Sequence, residues 1–313
     1  MSTLPASVLS IDISKDHLDT DAWPSPWRRR LDNDASGLAR IVAEAKRRQA
    51  FVIFEATSVY DRKLMAALEA AGLPYHRANP RKAREFARAS GFLAKTDRVD
   101  AAMLAQYGRC VPLAAAEPVA PERQALRALI DRRDQLVALR KQEQTRLHQA
   151  ASEAIGAEMA TLIADITARI QAYEADIEAH LQAHPALAAT ARLLASAPGV
   201  GLVTAASLIA GLPELGRRCA GTIAALVGLA PLARDSGRWR GQRRIWGGRA
   251  SIRRLLFLAA QHAARSNAFS AFARRLRDAG KPPKKVRIAV ARKLLLALNA
   301  MVKDKRPFRN SPA

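Results

Sequence analysis

The sequence predicts a mixed α/β domain at its N-terminus, then a helical middle segment, then a mainly helical C-terminal domain. Short apolar runs alternate with amphipathic stretches up to residue 115, which indicates strands alternating with helices. Residues 116–187 are rich in Ala, Leu and Gln and contain few strand-forming residues, whereas residues 188–313 are strongly basic. We therefore expect three domains, covering residues 1–115, 116–187 and 188–313.

The N-terminal domain is predicted to begin with a meander of three strands. Ser7–Lys15 has the pattern of the first strand, and Pro24 and Pro26 separate the next two. The apolar run Phe51–Glu55 has the pattern of a buried strand. The remaining predicted elements are strands at His17–Ala22, Trp27–Asp32 and Leu73–Ala78, and helices at Ser36–Gln49, Arg62–Ala71 and Arg81–Ser90.

Four carboxylates lie on strands or at the start of a helix, at positions where they could bind a cation. Asp12 is an acid on the first strand, and Glu55 ends the buried strand, at the edge where α/β sheets bind ligands. Asp97 and Asp100 are three residues apart at the start of a helix, so their side chains share a face. Clustered carboxylates are unfavourable unless cations neutralise them, and Mg²⁺ prefers oxygen ligands. Taken alone, Asp97 also fits a helix cap and Asp100 a solvated acid.

The middle segment, from Glu122 to His184, is predicted to form a long helical hairpin or coiled coil. Its apolar residues recur at alternating intervals of four and three, which is the spacing of helices that pack along one seam. Gly156 is the one helix breaker inside it, so we place a turn or kink there. A seam of this kind favours self-association, and we expect a homodimer or a higher homo-oligomer. The seam residues are Met159, Ile163, Ile166, Ile170, Tyr173 and Ile177.

Two glycines follow in Leu194–Thr204, a stretch similar to the turn of a helix-hairpin-helix element. Gly199 and Gly201 would let the backbone approach a phosphate, with the positive end of the next helix directed at the charge. The alternative is an ordinary glycine-rich connection between helices. The basic surroundings favour phosphate binding.

The stretch Gly228–Arg249 is the strongest indication of nucleic-acid contact. From residue 234 onward it holds six Arg, two Trp and four Gly, with Asp235 as the only acid. Arg makes bidentate phosphate contacts, Trp stacks on bases, and Gly lets a loop follow a backbone. The alternative is a solvated basic loop. The expected contact residues are Arg234, Arg238, Trp239, Arg240, Arg243, Arg244, Trp246 and Arg249.

Two amphipathic helices are predicted to end the chain, over Ser251–Arg275 and Pro283–Lys303, with a Gly-Lys-Pro-Pro sequence between them. Their basic faces begin with Arg253 and Arg254, and we expect these faces to follow phosphates without reading base sequence.

The charge distribution indicates a polyanionic partner. The chain has 51 Lys and Arg against 28 Asp and Glu, a net charge of +23, and residues 191–313 carry 25 of the basic residues but only four acids. Neutralisation of phosphates is the usual reason for such a surface, so we expect nucleic acid. No apolar run is long enough to cross a membrane and no signal peptide is recognisable, so we expect a cytoplasmic protein without membrane contact. The solitary Cys110 and Cys219 offer no disulfide framework.

Three acidic motifs resemble those of a known family. They are Asp12-Ile13-Ser14-Lys15, Phe54-Glu55-Ala56-Thr57 and the stretch from Ala94 to Ala101. In this order and spacing they closely resemble the motifs of the DEDD transposases of bacterial insertion sequences, the one-ten family (IS110). Ala230-Pro231 followed by Asp235-Ser236-Gly237 resembles the second conserved domain of that family. One departure is Ser58, where many relatives have Gly.

The resemblance implies a ribonuclease H-like (RuvC-like) N-terminal domain in which Asp12, Glu55, Asp97 and Asp100 hold one or two Mg²⁺ ions. It also implies that Ser236 is a nucleophile that forms a covalent phosphoserine link to DNA. By spacing alone Ser236 is a turn residue, because Asp-Ser-Gly is a favourable turn sequence. The basic residues beside the acids, Lys15, Lys95 and Arg98, would help to hold the substrate.

Partners are implied as well. The resemblance indicates that the DNA of the element ends and of the target is bound, and that a structured noncoding RNA guides the choice of site by base pairing. The two halves of a working site would come from different subunits. Delegating sequence choice to an RNA would explain why no recognition helix or zinc finger is apparent in this sequence.

Two other functions remain open. A junction-resolving or structure-selective nuclease would use the same four carboxylates with water as the nucleophile, and would not need Ser236. A non-catalytic nucleic-acid scaffold would keep the basic C-terminal region but would not depend on the carboxylates.

Overall fold

A computed structural model describes residues 4–57, 59–92, 97–233, 235–237, 239–241 and 243–309. At residues 97, 98, 239 and 240 it describes the backbone alone. The chain forms two compact units, one up to Pro118 and one from Val119 onward. The middle helical segment belongs to the second unit, and the division into three domains stays a prediction.

The N-terminal unit is built on a mixed five-stranded sheet, as the sequence predicts. The strand order is β3-β2-β1-β4-β5, with β1 antiparallel to β2, β2 antiparallel to β3, and β4 parallel to both β1 and β5. The parallel pairs require crossovers, and helices provide them. The strands are β1 (Val8–Ile13), β2 (His17–Trp23), β3 (Arg29–Asp32), β4 (Phe51–Glu55) and β5 (Tyr75–Ala78).

Helices cover both faces of this sheet. The four are α1 (Ala35–Arg48), α2 (Arg62–Ala70), α3 (Pro80–Ala89) and α4 (Asp97–Cys110). Leu9, Ile11 and Phe54 pack with α1 and α2 in one buried cluster, whereas Val8 and Ile53 pack with α4 in another. Because successive side chains of a strand point to opposite faces, each strand contributes to both cores.

The C-terminal unit is mainly helical, again as predicted. Its helices are α5 (Pro121–Leu147), α6 (Glu153–Ala183), α7 (Pro185–Ala195), α8 (Leu202–Gly211), α9 (Ala220–Val227), α10 (Ala250–Ala263), α11 (Asn267–Asp278) and α12 (Pro283–Asp304). Four two-residue strands lie between α9 and α10: β6 (Pro231–Leu232), β7 (Asp235–Ser236), β8 (Trp239–Arg240) and β9 (Arg244–Ile245). A single large core joins α5–α12.

Helices α5 and α6 pack against each other along the predicted apolar seam, with Leu136, Ile166 and Ile170 buried between them. The predicted position of the turn is wrong. The chain turns at residues 148–152, and Gly156 lies in the first turns of α6. Ser152 starts α6 because its hydroxyl accepts a hydrogen bond from Ile155 N, and this cap outweighs the low helix propensity of glycine.

The predicted single helix over Ser251–Arg275 is also wrong. The chain breaks at residues 264–266, so three helices rather than two end the described chain. The Ser266 hydroxyl donates a hydrogen bond to the Ala263 carbonyl at 2.7 Å, a local bond that competes with helix continuation. Helix α12 then packs against α10 and α11, burying Leu294, Leu295 and Leu298.

In the described part of the chain, no helix combines the length and the apolar character needed to span a bilayer.

The loop between α7 and α8 contains the two glycines singled out above, and they differ in what surrounds them. Gly199 has φ +79°, and a Cβ there would lie 2.4 Å from the Ala259 carbonyl oxygen of α10. Gly201 caps α8 with an ordinary negative φ, and a Cβ there would meet nothing within 4 Å. The packing of α10 therefore explains Gly199, and phosphate contact by either glycine stays a prediction.

We predict that Gly199→Ser destabilises the protein and that Gly201→Ser does not. The first change combines a strained φ with a backbone clash and should lower the free energy of unfolding by at least about 1–3 kcal/mol. The second places a good N-cap residue in open space and should change it by less than about 0.5 kcal/mol. Urea unfolding measures both, and equal losses in the two variants would contradict this account of the loop.

Candidate active site and nucleic-acid interface

The pairing of β1 with β4 places Asp12 beside Glu55. Ile11 is the register partner of Phe54 on these two parallel strands, and each acid directly follows its member of that pair. Neighbouring strands are about 4.8 Å apart, so the two acids lie at the same level at one end of the sheet. Both are half-buried.

Helix α4 brings the other two acids to the same end. The Ser10 hydroxyl donates a 2.7 Å hydrogen bond to the Ala101 carbonyl, and further along α4 the backbone of Gly108 approaches Val8 and Ile53. The helix therefore runs antiparallel to β1, with its N-terminus toward Asp12. Asp100, half-buried, directly precedes Ala101, and Asp97 lies one turn further toward the helix N-terminus. Because Ser10 and Asp12 project from the same face, the backbones of all four acids converge there.

The donor chemistry of this group suits a hard divalent cation. Carboxylate oxygens are the ligands that Mg²⁺ and Ca²⁺ prefer. The described side chains alone do not complete a site: no three His, Cys, Asp or Glu among them could hold a metal ion, and the Asp97 side chain is not described. Of the flanking cations, Lys15 is exposed just past β1, Lys95 lies outside the described residues, and of Arg98 only the backbone is described. Ser58, the departure from the family pattern, also lies outside them.

A fifth acid, Asp19, lies next to Asp12 and was missed in the sequence. It is the register partner of Asp12 on β2, but Arg30 donates to it from Nη2 at 2.8 Å and from Nε at 3.1 and 3.2 Å. Its carboxylate is therefore already neutralised. The alternating pattern His-Leu-Asp-Thr-Asp already indicates a strand that carries acids on one face. Only the strand register shows that Asp19 lies opposite Asp12.

A cationic surface beside the acids was also missed. Helix α3 starts two residues after Ala78, the register partner of Glu55, and the Asn79 side chain caps it by accepting a hydrogen bond from Arg81 N. Its inner side packs on α4, where the Phe86 and Tyr107 rings lie 5.0 Å apart. On its exposed side Arg81 pairs with Glu85. The other exposed cations of α3, Lys82, Arg84 and Arg88, have no carboxylate partner among the described residues.

In the C-terminal unit, Ser236 lies in a small exposed hairpin. Strands β7 and β8 pair antiparallel, with Ser236 opposite Trp239, and Gly237 occupies the turn with φ +54°. A positive φ at this position suits the tight two-residue turns that join such strands. The Asp235 carboxylate accepts a 3.1 Å hydrogen bond from Gly241 N, which holds the base of the hairpin. Arg234 and Arg238 lie outside the described residues, as do the side chains of Trp239 and Arg240.

The remaining predicted contact residues fall into two groups. Arg243, Arg244, Arg254 and Trp246 are exposed, Trp246 by 55% of its surface, and so are placed where a ligand can reach them. Arg249 instead donates to the Gly211 carbonyl and forms a bidentate pair with Glu214, with both bonds at 2.6 Å. Arg253 donates to the Gly247 carbonyl. These two arginines hold the loop to the helices, and their contact with nucleic acid stays a prediction.

The Glu214 pKa reflects this pairing. Burial raises the pKa of the carboxyl group, but the hydrogen bonds and charge of Arg249 outweigh burial, and the net pKa lies below its ordinary value. The ionised pair is thus a structural link between the loop after α8 and the start of α10.

Two protein-family models match the chain. One, a DEDD model of the IS110 type described as "Transposase", matches residues 9–155, and the other, described as "Transposase IS116/IS110/IS902 family", matches residues 191–274. The "Pilin gene-inverting protein" of Moraxella bovis is 29% identical over 262 residues, which cover 82% of this chain and 81% of that protein. The protein of the same name from Moraxella lacunata is similar to the same extent. The first family model spans the four acids, and the second spans Ser236.

We predict that two arginines of the same loop differ in their effect on stability. Arg249→Gln removes a half-buried bidentate pair and should lower the free energy of unfolding by about 1–3 kcal/mol. Arg244→Gln removes the same charge from an exposed side chain and should change it by less than about 0.5 kcal/mol. Chemical denaturation of both variants tests this, and an unaffected Arg249→Gln protein would refute the structural role.

Proposed function

Because this chain belongs to the IS110 family of transposases, we propose that it cuts and rejoins DNA strands with four carboxylates as metal ligands and a serine as the nucleophile. The convergence of the backbones of Asp12, Glu55, Asp97 and Asp100 on one end of one sheet face carries this proposal. Membership of the family makes the protein a DNA transposase or recombinase. The metal, the serine chemistry and the guide RNA are the parts that we propose.

A ribonuclease H-like fold for the N-terminal unit is supported by its topology. A three-stranded antiparallel meander continues into two parallel strands through helical crossovers, with one acid on the first strand and another at the end of the fourth. The late helix α4 then supplies the remaining two acids. The register of β1 and β4 is what makes this arrangement useful, since it sets two of the acids side by side.

Asp12, Glu55, Asp97 and Asp100 would hold one or two Mg²⁺ ions through their carboxylate oxygens. A bound Mg²⁺ stabilises charge that develops on the phosphate and on the leaving oxygen. The four carboxylates would hold that ion, and the cations of α3 lie at the same edge of the sheet, where they would contact phosphates. Lys15, Lys95 and Arg98 would add positive charge beside the acids.

Ser236 would supply the nucleophile. Its Oγ attacks the phosphorus, a bond from phosphorus to a deoxyribose oxygen breaks, and that oxygen takes up a proton and leaves as a hydroxyl. A sugar hydroxyl of another strand then displaces Ser236 in the reverse reaction, so the phosphodiester is restored without an external energy source. Exposure of Ser236 in a hairpin, within a loop rich in arginine, supports this role.

Strand exchange at chosen sites fits the name of the similar Moraxella proteins, which describes inversion of a gene. We extend to this chain the expectation of a structured noncoding RNA that pairs with element and target DNA, and of a homo-oligomer whose subunits share sites. Apolar side chains exposed on the α5/α6 hairpin, Leu139, Ile155 and Leu162, support self-association there.

A structure-selective nuclease is the second candidate, since all four acids lie in the N-terminal unit and water could replace Ser236. A passive scaffold is the third. The nuclease would need the carboxylates but not Ser236, whereas the scaffold would need neither.

We predict that Ser236→Ala abolishes covalent protein–DNA adducts formed in Mg²⁺ from a labelled DNA carrying the element end. Ser251→Ala, which removes an exposed hydroxyl at the start of α10, is the matched control and should leave the adducts unchanged. Denaturing gels measure the adduct. Cleavage that persists without Ser236 would favour the nuclease, and recombination that survives Asp100→Asn would favour the scaffold.

We also predict that α3 contacts phosphates. Arg84→Gln with Arg88→Gln should reduce the slope of log affinity against log salt by about 1–2, because each lost phosphate contact accounts for roughly 0.9 of that slope. Arg40→Gln with Lys46→Gln removes the same charge from α1, on the other face of the sheet, and should have little effect. Duplex binding titrated between low and moderate salt distinguishes them, and equal slopes would exclude α3 from the interface.

A further inference from the structure

Asp61 is a deeply buried carboxylate in the turn between β4 and α2. Its side chain is only 1% exposed. Oδ2 accepts hydrogen bonds from Thr57 N at 3.1 Å and from Arg77 Nε at 2.7 Å. Oδ1 is also buried and has no hydrogen-bond partner among the described residues. The residue thus joins the turn after β4 to strand β5.

Helix capping does not explain this carboxylate. Asp61 occupies the N-cap position of α2, where an aspartate normally accepts a hydrogen bond from the second or third helical N–H group. Here the side chain makes no such bond, and it reaches back to Thr57 instead.

Stability does not explain it either. Removing a carboxylate from water costs several kcal/mol, and buried ion pairs are often no more stable than apolar residues of similar volume. With one oxygen unpartnered and Arg77 41% exposed, the compensation at Asp61 is incomplete. A specific geometric task is a better reason for its presence.

That task concerns Glu55. The bonds that hold the backbone around it include three close to Glu55: Ala56 N donates to the Ala78 carbonyl, the Thr57 hydroxyl donates to the Glu55 carbonyl, and Thr57 N donates to Asp61. The first two are at 3.0 Å. The third of these bonds ties the turn to the buried charge of Asp61.

The Asp61–Arg77 pair lies on the α1/α2 face of the sheet, opposite the face that carries the acids. Arg77 is the register partner of Phe54, whose side chain packs in the core beneath α1 and α2, whereas Glu55 projects to the α4 face. The Asp61–Arg77 pair can therefore fix the turn without entering the space where a substrate binds.

We propose that Asp61 is a positioning residue that holds Glu55 in place for a divalent cation, through the Thr57 N–H and with Arg77 as its anchor. This inference rests on the proposed carboxylate site. Groups that orient metal ligands typically change metal affinity by about 10–100-fold when they are lost.

The test compares Asp61→Asn with a matched control, Asp21→Asn, in the full chain. Asp21 is also buried, with 7% of its side chain exposed, and it pairs with Arg28 at 3.1 Å and with Ala22 N, but no bond joins it to the turn after Glu55 among the described residues. Both variants should melt at lower temperature without metal. Mg²⁺ affinity, from calorimetric titration, should fall by about 10-fold or more in Asp61→Asn and stay within about 2-fold in Asp21→Asn. Equal affinity in the two variants would overturn the proposal.

A second pair of variants separates positioning from folding. Arg77→Lys keeps the charge and lies at a partly exposed position, so it should fold, and it should weaken Mg²⁺ binding because Lys cannot reproduce the Nε bond. In a Glu55→Gln background, Asp61→Asn should cause no further loss, since the two residues act through one ligand. Additive losses would show that Asp61 acts elsewhere. If Glu55→Gln itself left Mg²⁺ binding unchanged, the carboxylate site would fail as well.

Discussion

The parallel pairing of β1 with β4 is the constraint on which the candidate site depends. Leu9, Ile11 and Phe54 must face the core beneath α1 and α2, and this requirement sends Asp12 and Glu55 to the opposite face. A slip of one residue would turn the carboxylates into that core and turn Leu9, Ile11 and Phe54 toward α4. Burial of the apolar side chains therefore sets the direction in which the acids project, although the acids contribute nothing to that burial.

Arginine neutralises three other acids of the N-terminal unit. Asp19, Asp21 and Asp61 each have an arginine nitrogen within 3.1 Å. These pairs reduce the number of carboxylates around the sheet that compete for a cation. Arginine suits this task because its planar fork makes directed bonds as well as carrying charge.

The C-terminal unit uses the same residue type in two ways. Arg249 donates hydrogen bonds to the Gly211 carbonyl and to Glu214, and Arg253 donates to the Gly247 carbonyl. These bonds hold the loop that carries the Ser236 hairpin. The exposed Arg243, Arg244 and Arg254 remain on the surface. The sequence shows the same positive charge in both groups. Only the packing distinguishes the arginines that hold the loop in place from those that a polyanion can reach.

The sequence by itself determined the strands and helices of the N-terminal unit to within a few residues, because apolar periodicity follows directly from which face is buried. It also determined the four acids and Ser236 as candidates. It misplaced the hairpin turn at Gly156 and missed the break at residues 264–266. A single serine hydroxyl bond accompanies each of these boundaries: the Ser152 hydroxyl accepts from Ile155 N, and the Ser266 hydroxyl donates to the Ala263 carbonyl. Only the tertiary structure decided that Asp12 stands beside Glu55, that Gly199 serves helix packing and that Asp61 reaches Thr57. These contacts join residues through strand register and helix packing, and neither can be read from local sequence spacing.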